Sequence, residues 1–152
     1  MKVLFVSHYS FLYGSNRSLD SLIDYFKNKG INVEVLLPSR GKFFEHLKNK
    51  GIKVHTFRFF YEVMYVKWNK KYLSLPILWV YNLITFPILL WKVKKIAPDI
   101  IYSNSSVDAY SIFVAKILRR KHVYHVREFL QEDFGSHFIL SLIHISEPTR
   151  PL

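Results

Sequence analysis

The chain contains no cysteine, which excludes disulfides and thiolate metal sites at once. Its seven histidines never fall into an H-E-x-x-H or comparable ligand spacing, so no metal is expected. Acidic residues are scarce, 11 against 22 lysines and arginines, and the formal net charge of +11 asks for an anionic partner. Nucleic acid, an anionic membrane and a phosphorylated small molecule all meet that demand. No recognised nucleic-acid motif is present, so nucleic acid is not expected among the partners. Met1-Lys-Val-Leu-Phe-Val runs straight into an apolar strand without a long hydrophobic region and cleavage site. A signal peptide is therefore not expected, and the sequence reads as cytoplasmic, with a peripheral place on the inner face of a membrane as an option.

What is present is a well-stocked core. Half of the 152 residues are apolar and 17% are aromatic, enough for one folded domain. Lys2 to Ser7 is an apolar run without polar alternation, which suits a strand buried on both faces of a parallel sheet. A loop with a single glycine, Gly14, follows, and then Leu19, Leu22, Ile23 and Phe26 at helical spacing, closed by Gly30. Strand, loop and helix N-terminus in that order present backbone N–H groups to a phosphate, although one glycine can equally serve only a turn. A second strand spans Ile31 to Leu37, a short helix Phe43 to Lys50, and a third strand Ile52 to Phe57. This β-α-β-α-β pattern predicts a parallel sheet with right-handed crossovers.

Regularity breaks between Phe57 and Trp68, where aromatics recur without a clean period. Leu73 to Trp91 then runs nineteen residues without a charge, between Lys70 and Lys71 on one side and Lys92, Lys94 and Lys95 on the other. Buried helices, a helix lying in a membrane interface and a membrane span all fit its length and flanks; Pro76, Pro87, Asn82 and Thr85 speak against the span. Order returns with a fourth strand, Pro98-Asp-Ile-Ile-Tyr-Ser103, a polar cluster Asn104-Ser-Ser106, a helix from Asp108 to Leu118, and a fifth strand His122 to Val126. The fold class expected is α/β, a doubly wound parallel sheet of order 3-2-1-4-5 with its reversal between the first and fourth strands. Ligands bind such sheets at the carboxyl ends of the strands beside the reversal. The loops bordering that crevice are Ser7 to Ser18, Ser103 to Asp108 and Val126 to Phe129.

Several of these segments, taken in order, resemble the N-terminal, acceptor-side domain of family-4 glycosyltransferases of the GT-B fold. Met-Lys-Val-Leu-Phe-Val with Gly14-Ser-Asn-Arg17 matches their opening strand and loop, and Gly30-Ile-Asn-Val-Glu-Val their second strand. Pro98-Asp-Ile-Ile-Tyr-Ser-Asn104 is similar to their P-D-(I/V)-(I/V)-H-x-H strand, and Tyr124-His125-Val-Arg127-Glu128 to their x-H-(D/V)-x-E strand end. The resemblance covers about residues 1 to 135. Two departures stand out: the loop lacks paired glycines, and Asn104 replaces a histidine that many members carry.

The resemblance implies a Rossmann-like half of a retaining enzyme that moves a sugar from a nucleotide-sugar onto a glycan, lipid-linked or other acceptor. The first loop, here Gly14, Ser15, Asn16 and Arg17, would face the donor phosphates, and His125 would sit near the sugar in transfer. Asn104, Ser105, Arg127 and Glu128 complete the expected substrate-binding set. No cofactor is expected; the nucleotide-sugar is a substrate, held mainly by a second domain that the resemblance implies and these residues do not supply, so the chain alone is expected to be inactive. Each residue also has a structural alternative. His125 can be satisfied by backbone, Arg127 and Glu128 can pair with each other, and Asn104 to Ser106 can cap the following helix. A non-catalytic, peripheral membrane-binding α/β module using residues 73–91 is the competing function.

Leu140-Ser-Leu-Ile-His-Ile-Ser-Glu-Pro-Thr-Arg150 does not continue the pattern and resembles the translation of a sequencing adapter. The expected organisation is a domain over 1–139 and a non-native tail over 140–152, with His144 and Glu147 outside any site.

Overall fold

In the computed structural model, residues 1–58, 63–64, 75–105, 110–125 and 137–138 are described. The elements are β1 (Lys2–Val6), α1 (Gly14–Asn28), β2 (Asn32–Leu37), α2 (Lys42–Asn49), β3 (Lys53–Thr56), β4 (Val63–Met64), α3 (Leu75–Ile96), β5 (Ile100–Ser103), α4 (Tyr110–Ile117), β6 (Lys121–Tyr124) and β7 (His137–Phe138). Five strands form a parallel sheet in the order β3-β2-β1-β5-β6. This is the order expected from the sequence, with the reversal beside β1.

The absence of polar alternation in β1 has its explanation here, since both faces of the sheet are covered. Val3, Phe5, Val35 and Leu37 pack on one face with Leu19 and Ile23 of α1 and Phe43 and Leu47 of α2. Leu4, Val6, Leu36 and Ile101 pack on the other with Leu89, Val93 and Ile96 of α3 and Val114 and Ala115 of α4. Adjacent residues of one strand therefore serve different layers. α1 and α2 stop at Gly30 and Gly51, both at φ +72°, the left-handed conformation that glycine adopts without a Cβ penalty.

Three features differ from the expectation. α1 begins at Gly14, so Gly14 to Arg17 form its first turn rather than a loop. Tyr13 in extended conformation starts the helix, a role that apolar spacing does not reveal. Residues 75–96 make one helix despite Pro87, whose missing N–H leaves Leu83 without its usual intrahelical donor. Val63–Met64 and His137–Phe138 form a small antiparallel pair that the aperiodic sequence gave no sign of. Residues 65–74 and the 140–152 tail lie outside the described residues, and so does the boundary placed at 139.

One buried charge stands inside the sheet. Glu34, 3% exposed, holds His55 Nε2 at 2.5 Å, Lys2 Nζ at 3.4 Å and Lys53 Nζ at 3.6 Å. Lys2 also donates through Nζ to Ile96 O at 2.6 Å and through its backbone N–H to Asp99 Oδ2 at 2.7 Å. The entry to β5 is thereby fastened to the start of β1.

Candidate functional site

The chain leaves β1 through Ser7 and His8, both buried, and crosses the ends of the strands before α1. Along this crossing Tyr9, Phe11 and Tyr13 are exposed while Ser10 is buried and Leu12 packs against the core. Asn16 sets the shape. Its Nδ2 donates to Tyr9 O at 3.0 Å and to Phe11 O at 2.6 Å, and its Oδ1 accepts from Ser7 Oγ at 2.7 Å. Ser10 Oγ in turn donates to Ser39 O at 2.7 Å, joining the loops that follow β1 and β2. A Cβ at Gly41 would stand 2.6 Å from Ser10 O, so only glycine allows this approach.

Asn16 is 1% exposed and its amide is committed to the loop. In this position Asn16 holds the path of the loop, because no other side chain in the turn joins two carbonyls to the end of β1. Asn16→Ala strips three hydrogen bonds from the loop, two of them to part-buried carbonyls and one from the buried Ser7 hydroxyl, an expected loss of about 2 kcal/mol. Asn16→Asp, nearly the same shape, keeps the acceptor but sets a carboxylate against two carbonyl oxygens and is expected to cost more. Urea unfolding of the three proteins checks the ranking; equal midpoints would remove Asn16 from this role.

The helix that carries Asn16 in its first turn has no side-chain cap. Tyr13 contributes no side-chain cap and the first turn holds no acidic residue, so the positive end of α1 and its leading N–H groups are not neutralised from within the helix. Gly14 is exposed, and nothing lies within 4 Å of where a Cβ would be. Its φ is not in the left-handed region, so what glycine provides here is access to the backbone rather than a special conformation. Arg17, also exposed, carries a positive charge on the same turn.

β5 closes the other side. Ser103, Asn104 and Ser105 are fully buried where the strand ends. Asn104 donates through its backbone to Val6 O at 2.9 Å and through Nδ2 to Ser15 O at 3.3 Å. This links the ends of β1 and β5 to the first turn of α1 across the reversal of strand order. Just past β6, the His125 backbone N–H donates to Ser103 O at 2.9 Å. Its Nδ1 lies 2.6 Å from Tyr102 Oη, and Tyr102 itself packs on Phe5 at a centroid distance of 5.0 Å. A tyrosine hydroxyl that donates to Nδ1 selects the neutral tautomer with its proton on Nε2, and one that accepts selects the other.

His122, three residues earlier, differs. Burial pushes its pKa down to about 4, and Ser103 Oγ lies 2.9 Å from its Nε2. It is a neutral histidine at physiological pH.

Gly14, Ser15, Arg17, Asn104 and His125 thus all stand at the carboxyl ends of β1, β5 and β6 or on the turn beside them. Ser105 accompanies them as a buried residue. Arg127 and Glu128 lie outside the described residues. Tyr102 and Ser10 escaped the sequence reading because each looks like an ordinary strand or loop residue; only the register and the close approach of a second loop disclose them. Among the described residues no cluster of histidine and carboxylate side chains could hold a metal ion.

No protein-family model matches the sequence, and no curated protein matches it. Solved structures do. Anabaena Alr3699/HepE, determined in complex with UDP-glucose, is similar at a TM-score of 0.61 and 19% identity, over 88% of this chain and 31% of that one. Acinetobacter baumannii MurG is similar at a TM-score of 0.61 and 14% identity, over 88% and 38%. The lipopolysaccharide outer core galactosyltransferase WaaB is similar at 0.54 and 17%, over 82% and 32%. The chain spans about a third of the length of these proteins. The fold is one Rossmann-like half of a GT-B fold.

Proposed function

We propose that this chain is one half of a glycosyltransferase that moves a sugar from a nucleotide-sugar to a glycan or lipid-linked acceptor with retention at the anomeric carbon. The observation that carries the reading is that the first turn of α1, which bears Arg17 and has no side-chain cap, is tied to the end of β5 through Asn104 Nδ2 and Ser15 O. His125 is joined to the same strand end through its backbone N–H, all beside the reversal of strand order. Departure of a nucleoside diphosphate builds negative charge on phosphate oxygens and positive charge on the sugar carbon. The α1 N-terminus and Arg17 are placed to meet the first. In this reading His125 donates a hydrogen bond to a sugar hydroxyl or to the transferring group. Ser15, Asn104 and Ser105 shape the wall between them, and Arg127 and Glu128 belong to the same proposal from the loop after β6. The similarity to WaaB, described as a galactosyltransferase, and to HepE, solved with UDP-glucose, supports a nucleotide-sugar donor and a hexose as cargo.

On this reading the second Rossmann-like half supplies most donor contacts, and the chain alone does not turn over. The test is a radiolabelled UDP-hexose assay on the gene product extended past residue 139 through a second half, with cell-envelope glycans and glycolipids as acceptors. Label transferred or released as free hexose by the extended protein, and not by this chain, supports the proposal. An extended protein with no second Rossmann-like half, or with neither transfer nor hydrolysis across the UDP-sugars, overturns it.

A further inference from the structure

Three helices of this fold hand over to a strand in the same way. After α1, Gly30 N–H donates to Lys27 O at 2.9 Å and Ile31 N–H to Phe26 O at 3.1 Å, and β2 starts at Asn32. After α2, Gly51 N–H donates to Lys48 O at 2.9 Å and Ile52 N–H to Leu47 O at 3.0 Å, and β3 starts at Lys53. After α4 the same pair of bonds runs from Arg119 N–H to Lys116 O at 3.2 Å and from Arg120 N–H to Ala115 O at 2.8 Å, and β6 starts at Lys121. In this exit the first outer residue is left-handed, which favours glycine, and the second makes an apolar contact back to the helix. Gly30-Ile31 and Gly51-Ile52 meet both demands, with Ile52 buried and Ile31 packed against the core.

The third exit meets neither. Arg119 stands at φ +52°, where a Cβ is strained, and Arg120 is exposed where the other exits bury an isoleucine. Ala97, at the different exit of α3, shares the left-handed conformation but carries only a methyl group. Among the described residues neither guanidinium meets a carboxylate. The fold itself is served better by the chain's own Gly-Ile solution, so the strain is kept for something outside the fold. Other cations gather there. Lys121 pairs in register with Ile100 at the start of β5, and α3, which leads to that strand, packs in the same layer as α4. The exposed Lys94, Lys95, Lys116 and Lys121 therefore join the arginines at the amino ends of β5 and β6. Cations in a last helical turn complement the helix dipole, but α1 and α2 meet that need with Lys27 and Lys48 and no arginine after them. Asp99, just before β5, has its Oδ2 taken by the Lys2 backbone N–H.

We propose that this corner docks an acidic segment of a partner protein, with Arg119 and Arg120 gripping its carboxylates. A planar guanidinium holds a carboxylate through two parallel hydrogen bonds, and arginine is the cation enriched at protein interfaces. Val123, 43% exposed, shares a face of the edge strand β6 with Lys121 and offers an apolar contact beside the charges. Among the described residues no helix is long and apolar enough to cross a membrane, and a lipid surface gripped by these cations would lie at the end of the sheet remote from the crevice. The proposal does not depend on the transferase reading.

Titration of a fluorescein-labelled oligoglutamate peptide with the full chain, read by anisotropy, tests it. Binding that weakens with salt is expected. Arg119→Gly with Arg120→Ile, which gives α4 the exit of α1 and α2, is expected to weaken binding by at least about fivefold. Lys27→Gln with Lys48→Gln removes the same charge at the other two exits and is expected to change it by less than about twofold. The arginine variant is also expected to hold or raise the urea midpoint, since glycine takes the left-handed position without strain. A lower midpoint would show that the arginines serve the fold, and equal losses in the two variants would show a response to net charge alone; either result overturns the proposal. So does a peptide that fails to bind, including the case in which phosphatidylglycerol vesicles or single-stranded RNA bind instead under the control of the arginine pair.

Discussion

In the extended enzyme, His125→Ala is expected to lower kcat for sugar transfer by about two orders of magnitude, the usual contribution of a positioned acid–base or hydrogen-bonding side chain. The Michaelis constant for the donor is expected to move little, because the proposed function assigns the diphosphate to other groups. A loss confined to kcat marks an interaction made mainly in the transition state. His125 lies just past the end of β6 and is only partly buried, so the fold should not register its removal. Tyr102→Phe supplies the complementary result. It leaves the ring in place but withdraws the hydroxyl 2.6 Å from Nδ1, and with it the tautomer preference that the hydroxyl sets. A drop of about tenfold with an altered pH profile is expected. Unchanged kcat in His125→Ala would disconnect this histidine from the reaction whatever the state of the fold.

The largest expected effect on stability lies at Glu34. Burial alone raises a carboxyl pKa, but the hydrogen bond from His55 and the charges of Lys2 and Lys53 outweigh it and hold Glu34 below its usual 4.5. Glu34→Ala removes the common partner of three basic groups. About 3 kcal/mol is expected, the lower end for breaking a buried pair, because Lys2 and Lys53 keep contact with water. Since the folded pKa is depressed, the folded state binds its proton less readily than the unfolded chain. The stabilisation is complete above the unfolded value and is lost as pH falls through the folded one. Urea unfolding of wild type and Glu34→Gln should show a gap that is full at neutral pH and closes under acid. His122 acts in the same direction over a higher range, from its usual 6.5 down to about 4, because the unfolded histidine takes up a proton that burial refuses to the folded one. A gap at Glu34 that ignores pH would show that the carboxylate matters by shape rather than by charge.

The sheet was legible because its strands and helices obey periods that burial enforces. Val3 to Val6 must be apolar throughout when both faces are covered, and Leu19, Ile23 and Phe26 must recur at helical spacing when one face is. The crevice followed from strand order. Its fine structure did not. Whether Asn16 faces a ligand or its own loop depends on the path of the backbone between Tyr9 and Tyr13, which leaves no periodic trace. Tyr102 becomes a neighbour of His125 only through the pairing of β5 with β6. α3 was the most ambiguous segment for a physical reason: a helix apolar on both sides gives the same composition whether protein or lipid covers the second.

The fastening of Lys2 to Asp99 also has a consequence for the order in which the molecule comes into being. β1 finds β2 after one short crossover, but its other neighbour enters 97 residues downstream. Closing the longer loop costs about 1 kcal/mol more in chain entropy than closing the shorter one, and pairings so distant in sequence slow folding. The β1-α1-β2 unit therefore has the means to form while the later strands are still being synthesised. The crevice does not, because one of its walls is the last-arriving partner of the first strand. Its assembly is a late kinetic event.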